Sequence, residues 1–388
     1  MKKAIILSLV AASFFLSPYI VQAAPNEQQM AEKQLEAIDI GDIQKYWNDI
    51  IVKYGGFLPE SQKGSLIEFL QGEKEWSFNA WLTALLKFLV YELQANGRLL
   101  GMLILLTVFS MFLQSLQNAF EQQAVSKVAY AVVYMVLMIL ALNSFRLAME
   151  YAQEAIQTMT HFMIALIPLL LALLASSGGL VSAAFFHPMV LFLMNVTGAI
   201  VEYIALPLLF LAALLNIVST LSEHYKVTQL ADLFTKVAMG ALGAILTIFL
   251  GVMSVKGATA AIADGVALRA AKFVAGNFIP VIGKMFTDAT DTVVTASMLL
   301  KNAVGVAGVA LVLLIAVFPA IKIFIISFVY KLSAAVLQPL GGGPVIACLN
   351  IISKSVLYIL AALAIVSLMF FLSLTVIITA GNITMMVR

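Results

Sequence analysis

The side chains best suited to chemistry in this sequence are Lys284, Asp288 and Asp291. On a helix, residues three and four positions apart are neighbours, so these three charges share one face. A charge at the centre of a bilayer costs about 2.5–3.5 kcal/mol on insertion scales, and such charges usually face a cavity or a partner. The three residues are therefore candidate pathway positions, and Lys301 and Lys322 are further charges of the same half of the chain. The alternative is a solvated loop or helix end.

A nucleotide-binding loop is the enzyme motif that this region approaches most closely, at Gly276 and Gly283-Lys284. Six residues separate the two glycines instead of four, and Met285 stands where the motif needs a magnesium-binding hydroxyl. We therefore reject a nucleotide site, and we expect any ATP-driven step to come from a partner protein.

Metal-binding and nucleophilic residues are too scattered to predict another kind of site. His161, His187 and His224 lie in separate segments without an H-E-x-x-H pattern, and Cys348 is the only cysteine. The sequence therefore predicts no catalytic residue, no cofactor and no metal site, and indicates that the protein is not an enzyme.

The composition of the chain predicts which kind of secondary structure holds these residues. Of the 388 residues, 62% are hydrophobic and 11% are charged, whereas average soluble domains carry about 45–50% and about 25%. Such a chain must meet lipid, where backbone polar groups need partners within their own segment. The apolar stretches are continuous rather than alternating, so the fold class is all-α, a polytopic helical membrane protein. The net charge of +2 gives no indication of nucleic acid binding.

The N-terminus predicts export. Lys2 and Lys3 precede an apolar run, and Val21-Gln22-Ala23 has small residues at the cleavage positions, so residues 1–23 are a predicted signal peptide. The alternative is a retained N-terminal anchor. Either interpretation places the following segment outside the cytoplasm.

Residues 24–96 predict a small extracytoplasmic helical module. It contains all three tryptophans and three amphipathic runs, at 43–53, 59–70 and 77–93. In the third run Trp81, Leu85, Phe88 and Leu89 lie on one helical face.

Residues 97–388 are the predicted multi-pass transmembrane domain. Segment 180–218 is long enough for two spans that turn near Glu202, and segment 162–174 is short and contains Pro168. Gly240, Gly243, Gly305 and Gly308 are expected to permit close helix approach. The clear spans are 99–116, 128–142, 237–255, 304–321 and 355–379, and segment 323–340 is left open because of Lys331.

Proline spacing suggests an internal duplication of residues 125–220 and 237–332. Pro168 and Pro280 lie 112 residues apart, and so do Pro207 and Pro319. Each copy has a span, an amphipathic stretch, a proline-broken apolar segment and a long apolar region. The stretch in the first copy has a polar stripe that includes Gln157 and His161. Asp264 and Arg269 are on the polar side of the stretch in the second copy. Coincidence is the alternative.

A duplication would bear on function, because membrane proteins built from repeats often place a pathway where hydrophobic segments are interrupted. Residues 165–179 and 276–289 are such segments, with Pro168 and Pro280 as predicted helix breaks. The alternative is that both prolines make kinks that aid packing.

Several motifs resemble the stage III sporulation protein AE family. The likeness covers essentially the whole mature chain, in the same order throughout. The motifs are Tyr54-Gly55-Gly56-Phe57-Leu58-Pro59, Lys226-Val227-Thr228-Gln229-Leu230, Gly276-Asn277-Phe278-Ile279-Pro280, Met285-Phe286-Thr287-Asp288-Ala289-Thr290-Asp291, Gln338-Pro339-Leu340-Gly341-Gly342-Gly343-Pro344 and Thr379-Ala380-Gly381-Asn382.

The resemblance implies a role in endospore formation, in the mother-cell membrane around the forespore. Its implied partners are the other stage III sporulation proteins of the AA to AH operon, including the AA ATPase, and stage II sporulation protein Q. Together these are expected to form a channel that supports late forespore gene expression. The family supplies no catalytic residues. Two alternatives stay open, namely a non-conducting membrane scaffold of that complex and a secondary transporter.

Overall fold

The structure is a computed structural model, and it describes residues 40–59, 64–70, 77–119, 123–220, 226–278, 282–340 and 343–386. These residues form helices, and the described part of the chain contains no strand. The predicted all-α class is therefore confirmed. The predicted signal peptide lies outside the described residues. The helices are α1 (Gly41–Tyr54), α2 (Leu66–Leu70), α3 (Phe78–Ala95), α4 (Gly97–Ala119), α5 (Gln123–Ser176), α6 (Leu180–Ile200), α7 (Leu206–Ser219), α8 (Thr228–Phe278), α9 (Ile282–Leu337) and α10 (Pro344–Met386).

Helices α1, α2 and α3 correspond to the three amphipathic runs predicted near the N-terminus. The side chain of Ser77 caps α3 by accepting a hydrogen bond from the amide of Ala80. Phe88 is buried, and Trp81 and Leu89 pack against the core from the same face. The predicted apolar face of α3 is therefore confirmed. It packs on α9, so these short helices cover the side of the bundle.

Six helical stretches among the described residues are long and apolar enough to cross a membrane. The protein is thus a multi-pass membrane protein, as predicted. Helix α5 alone has 54 residues, which corresponds to about 80 Å at 1.5 Å per residue. The hydrocarbon of a bilayer is only about 30 Å thick. A helix of this length must therefore extend well beyond the hydrocarbon of one bilayer.

The core lies where α5, α9 and α10 pack together. Helices α5 and α9 are antiparallel, because Tyr330 lies beside Leu140 and Lys322 lies beside Tyr151. The Tyr330 hydroxyl is 3.1 Å from the Leu140 carbonyl oxygen and 2.9 Å from Ser144 Oγ. These bonds satisfy a polar group inside an apolar interior, which would otherwise be costly to bury.

Two glycines let these core helices approach closely. A Cβ at Gly305 would lie 2.5 Å from Cγ1 of Ile378 on α10, and one at Gly308 would overlap Leu166 on α5. The predicted close approach is confirmed at these two positions. A Cβ at Gly240 or Gly243 would meet nothing within 4 Å, so the same prediction is wrong for α8.

A tight turn at Ser177-Gly178-Gly179 joins α5 to α6. Gly178 has a φ of +91°, a conformation that glycine adopts without steric cost. The Gly179 amide donates to the Leu174 carbonyl oxygen at 2.9 Å and closes the end of α5. The chain therefore reverses here, and α6 runs back along α5.

Asp264 on α8 secures the start of α6. Its carboxylate accepts hydrogen bonds from the amides of Val181 at 2.7 Å and Ser182 at 3.1 Å. Amides in the first turn of a helix have no partner within the helix, and a carboxylate suits both their hydrogen bonding and the helix dipole. The side chain is 1% exposed. Its predicted place on a polar helix face is therefore wrong.

Two predicted interruptions of helices are also corrected. Helix α5 continues through Pro168 and ends at Ser176, so Pro168 is not a helix break. The turn predicted near Glu202 is a π-helical segment, Val201–Ala205, that leads directly into α7. Because the flanking residues keep helical dihedrals, segment 180–219 is one continuous 40-residue span.

Candidate functional site

A cavity with a volume of about 650 Å³ lies between the N-terminal helices and the bundle. We call it the α1–α5–α9 cavity. Ligand pockets typically enclose about 300–1,000 Å³, so this volume is sufficient for a small molecule or a side chain. Its lining residues are Tyr46, Asp49, Ile50, Val52, Lys53 and Tyr54 from α1, Tyr151, Glu154, Ala155, Thr158 and His161 from α5, and Ile315, Pro319 and Lys322 from α9.

An ion pair joins α1 to the middle of α5 at the cavity. Lys53 Nζ lies 2.6 Å from Glu154 Oε1, and both side chains are more than half exposed. Solvent-exposed pairs of this kind contribute about 0–1 kcal/mol. The pair therefore neutralises two cavity charges but adds little to the stability of the fold.

A second ion pair joins α3 to α9 behind the cavity wall. Lys322 Nζ lies 3.8 Å from Glu92 Oε1 and 5.1 Å from the ring centre of Tyr151. Both charged side chains are largely buried. Burial raises the pKa of the Glu92 carboxyl, and the nearby Lys322 ammonium partly offsets this rise.

Two tyrosines that line the cavity pack against other aromatic side chains. Tyr54 stacks on Phe318, and Phe88 contacts both rings edge to face at 5.9 and 4.9 Å. Tyr46 meets Phe162 in a T-shaped contact at 5.4 Å. Burial, with the charges of Asp42 and Asp49, raises the pKa of the Tyr46 phenol. The tyrosines are therefore neutral anchors for α1.

Pro319 is one of the residues that line the cavity. It lies inside α9 and has no N–H, so the carbonyl of Ile315, four residues earlier, lacks its helical amide donor. Ile315 and Pro319 both line the cavity. The wall formed by α9 thus consists of Ile315, Pro319 and Lys322, around a proline inside the helix.

A smaller polar cavity of about 390 Å³ lies between α5 and the π-helical segment. Gln157 donates a hydrogen bond to Glu202 at 3.2 Å across it. His161 lines both this cavity and the larger one. The polar stripe predicted on α5 is thus present, and His161 at its end lies between the two cavities.

Neither cavity is lined by a predicted pathway residue whose side chain the structure describes. Pro280 lies outside the described residues, and Lys284 and Asp288 are on α9, where only the backbone is described. Asp291 is half-buried on the same helix. Thirty-one residues separate Asp291 from Lys322 along α9, which is about 45 Å of helix. Their role in a pathway stays a prediction.

Sequence reasoning missed the cavity because its walls come from distant parts of the chain. Lys53 and Glu154 are 101 residues apart in sequence, and no local pattern pairs them. Lys322 and His161 were recognisable as polar residues within apolar segments, which is the only signal that pointed here. No cluster of three metal-binding side chains occurs in the described part of the chain.

Comparisons with known proteins agree on one family. The family model described as stage III sporulation protein AE matches residues 61–381. Stage III sporulation protein AE of Bacillus subtilis (strain 168) is 64% identical over 379 residues, covering 95% of each chain. No solved structure matches the chain significantly.

Proposed function

Since this chain belongs to the stage III sporulation protein AE family, we propose that it is a membrane component of the mother cell-to-forespore channel complex required for endospore formation and late forespore gene expression. A role in sporulation follows from the family itself. The observation that carries the finer proposal is the 64% identity, which extends over 95% of both chains. Similarity on that scale preserves the packed core as well as the surface.

The packing of the bundle supports a subunit rather than a complete channel. Along α5, α9 and α10 the facing side chains, among them Leu166, Leu311 and Leu374, are fully buried. Protein interiors packed in this way contain few voids larger than a water molecule. A conducting path would therefore run between copies of the chain, or between the chain and its partners.

The proposed partners are the other stage III sporulation proteins of the AA to AH set, including the AA ATPase, and the stage II sporulation protein Q complex. We place the protein in the mother-cell membrane around the forespore, with residues 24–96 outside the cytoplasm. The long helices support an assembly role, because the parts of these helices that extend beyond the bilayer hydrocarbon provide surface for other subunits.

A non-conducting scaffold of the same complex is the second candidate. The buried core supports it equally well, since a scaffold needs no path. A secondary transporter has less support: Ile167, Leu170 and Leu174 in the first proline-containing segment are buried in the core, where a substrate path would need polar groups and space.

Replacement in Bacillus subtilis tests the proposal. This chain is expected to restore heat-resistant spores and a late forespore reporter in a strain that lacks its own 64% identical protein. A strain that sporulates normally without either gene would contradict the proposal.

Cysteine accessibility then separates the channel subunit from the scaffold. After Cys348 is replaced by serine, single cysteines are placed at Leu105, Phe192 and Phe273, which are exposed on the bundle surface. Labelling by an aqueous reagent at these positions in the complete complex, but not in the isolated protein, would support a path between subunits. Protection in the complete complex would favour the scaffold.

A further inference from the structure

Two exposed lysines lie within apolar spans of the bundle. Lys331 is on α9 and Lys354 is on α10, in the two spans that are the most apolar among the described residues. Neither α10 nor the part of α9 that follows Asp291 contains an aspartate or a glutamate. Neither lysine forms an ion pair within the described part of the chain. The outer surface of these spans therefore carries two positive charges without a carboxylate partner among the described residues.

The two lysines are neighbours on the surface of the α9–α10 hairpin. Lys331 Nζ donates a hydrogen bond to Asn350 Oδ1 at 2.9 Å, and the Asn350 amide nitrogen donates to the Ile346 carbonyl oxygen at 3.0 Å. Lys354 is four residues after Asn350, which places both on one face of α10, about 6 Å apart along its axis. The Lys354 ammonium lies 5.9 Å from the ring centre of Tyr358. The two ammonium groups therefore lie on one shared surface.

The two ammonium groups can donate more hydrogen bonds than the described residues accept. Each ammonium group has three N–H donors. Lys331 uses one of them, toward Asn350, and Lys354 contacts only the Tyr358 ring within the described part of the chain. Charged donors form their strongest hydrogen bonds with anionic oxygens. The ligand that fits this surface is therefore an anion with several oxygens, which a phosphate group provides.

The position of the two lysines in the hairpin indicates that the anion belongs to a lipid. Lys331 is six residues before the end of α9 at Leu337, and Lys354 is ten residues after the start of α10 at Pro344. These separations correspond to about 9 Å and about 15 Å of helix. Charges near the end of a membrane span extend toward the headgroups, because a charge within the hydrocarbon is costly.

Apolar side chains that suit acyl chains continue from the lysines toward the interior of each span. Phe324 and Phe328 on α9 and Leu357 on α10 are all exposed. Phe324, Phe328 and Lys331 lie on one face of α9, because four and three residues separate them, and Leu357 follows Lys354 by three residues. All three apolar residues are farther from the hairpin turn than the lysine of their own helix.

From this arrangement we propose that Lys331 and Lys354 together bind the phosphate headgroup of an anionic phospholipid, whose acyl chains lie along Phe324, Phe328 and Leu357. Basic sites between membrane helices bind lipid headgroups of this kind. The lipid supplies both the negative charge and the acceptor oxygens that the two lysines need, and its chains cover the exposed aromatic rings.

The contact between α4 and the hairpin indicates which leaflet contains the site. A Cβ at Gly343 would lie 3.3 Å from Oε1 of Gln114, which is near the end of α4 that is farther from α3. With residues 24–96 outside the cytoplasm, this end belongs to the cytoplasmic leaflet, whose anionic lipids attract basic residues. Only this choice of leaflet rests on the proposed function, and the binding of the lipid does not.

Native mass spectrometry of the purified full-length protein tests the site. The protein in detergent is titrated with phosphatidylglycerol, and phosphatidylcholine is the zwitterionic control lipid. We expect Lys331→Gln and Lys354→Gln each to weaken phosphatidylglycerol binding about fivefold, and the double variant to weaken it about tenfold or more, by the usual contribution of a lysine near an anionic membrane surface. Phosphatidylcholine binding is expected to stay the same.

Lys236→Gln is the matched control variant, because Lys236 is an exposed lysine in the apolar span of α8. Inorganic phosphate is added as a competitor to separate a lipid from a free anion. A preference for phosphatidylglycerol that depends on Lys331 and Lys354, but not on Lys236, and that survives the competitor would support the proposal. Equal affinity of the wild type and the double variant, equal affinity for the two lipids, or displacement of the lipid by inorganic phosphate would overturn it. An unchanged melting temperature in phosphatidylcholine is the check that the variants fold, and spore formation does not enter this experiment.

Discussion

Tyr54 and Phe318 stack face to face, with ring centres 4.0 Å apart and planes within 7° of parallel. The contact joins the last turn of α1 to the centre of α9. It is an apolar link between the N-terminal helices and the bundle, and Phe88 of α3 packs against both rings.

Truncating this link should release the N-terminal helices. Replacing a buried aromatic residue by alanine costs about 3–5 kcal/mol, so Tyr54→Ala is expected to expose residues 40–95 to limited proteolysis while the bundle stays folded. Val52→Ala is the control, because Val52 is on the same helix and is 87% exposed. Equal protease resistance of Tyr54→Ala and the wild type would contradict the stacking role.

The raised pKa of the Glu92 carboxyl predicts that the stability of the folded protein depends on pH. Its pKa in the folded protein is raised above the ordinary value of 4.5, so the folded state holds the proton more tightly than the unfolded state. Its contribution is therefore favourable below pH 4.5 and is lost as the pH rises through the folded pKa.

The measurement is the difference in melting temperature between the wild type and Glu92→Gln at a series of pH values that starts below the ordinary pKa of 4.5 and rises from there. We expect the wild type to lose stability relative to the variant as the pH rises, because the glutamine side chain cannot ionise. Glu150→Gln is the control, since Glu150 forms an exposed pair with Arg146. A difference that is constant with pH would refute this explanation of the Glu92 site.

The carboxylate of Asp264 is expected to stabilise the start of α6. Asp264→Ala removes the acceptor of two amides, and we expect a loss of about 2 kcal/mol of unfolding free energy. Asp264→Asn keeps one acceptor oxygen and should lose less. Arg269→Ala on the exposed side of α8 is the comparison. Thermal unfolding in detergent measures all three, and an unchanged Asp264→Ala protein would show that the capping bonds contribute nothing.

Glycine substitutions should have different effects in the closely packed core helices and in α8. Gly305→Val inserts a branched side chain where even a Cβ would lie 2.5 Å from Ile378, and overpacking of this kind costs about 1–3 kcal/mol. Gly243→Val meets open space and serves as the matched control. We expect a lower melting temperature only for Gly305→Val. Equal melting temperatures of the two variants would contradict the close packing of α9 on α10.

Local features of the fold were predictable because they depend on neighbours in sequence. The three amphipathic runs near the N-terminus predict α1, α2 and α3. Apolar length predicts that the chain crosses a membrane.

Features that depend on tertiary packing were not predictable. Pro168 breaks no helix, because the buried surface of α5 against α9 outweighs one missing hydrogen bond. The region of Glu202 favours a turn by its polarity, yet one π-helical segment lets the helix continue. The cavity needs α1, α5 and α9 together, and no single segment indicates that pairing.

The position of α9 in the chain has a consequence for biosynthesis. Phe318, which receives Tyr54, and Tyr330, which contacts the Leu140 and Ser144 oxygens, are translated long after their partners. The faces of the earlier helices that pack on α9 and α10 must therefore stay uncovered until the last two helices arrive. Chains that stop before α9 should be recognised by quality-control proteases, whereas completed chains should become resistant in a single late step.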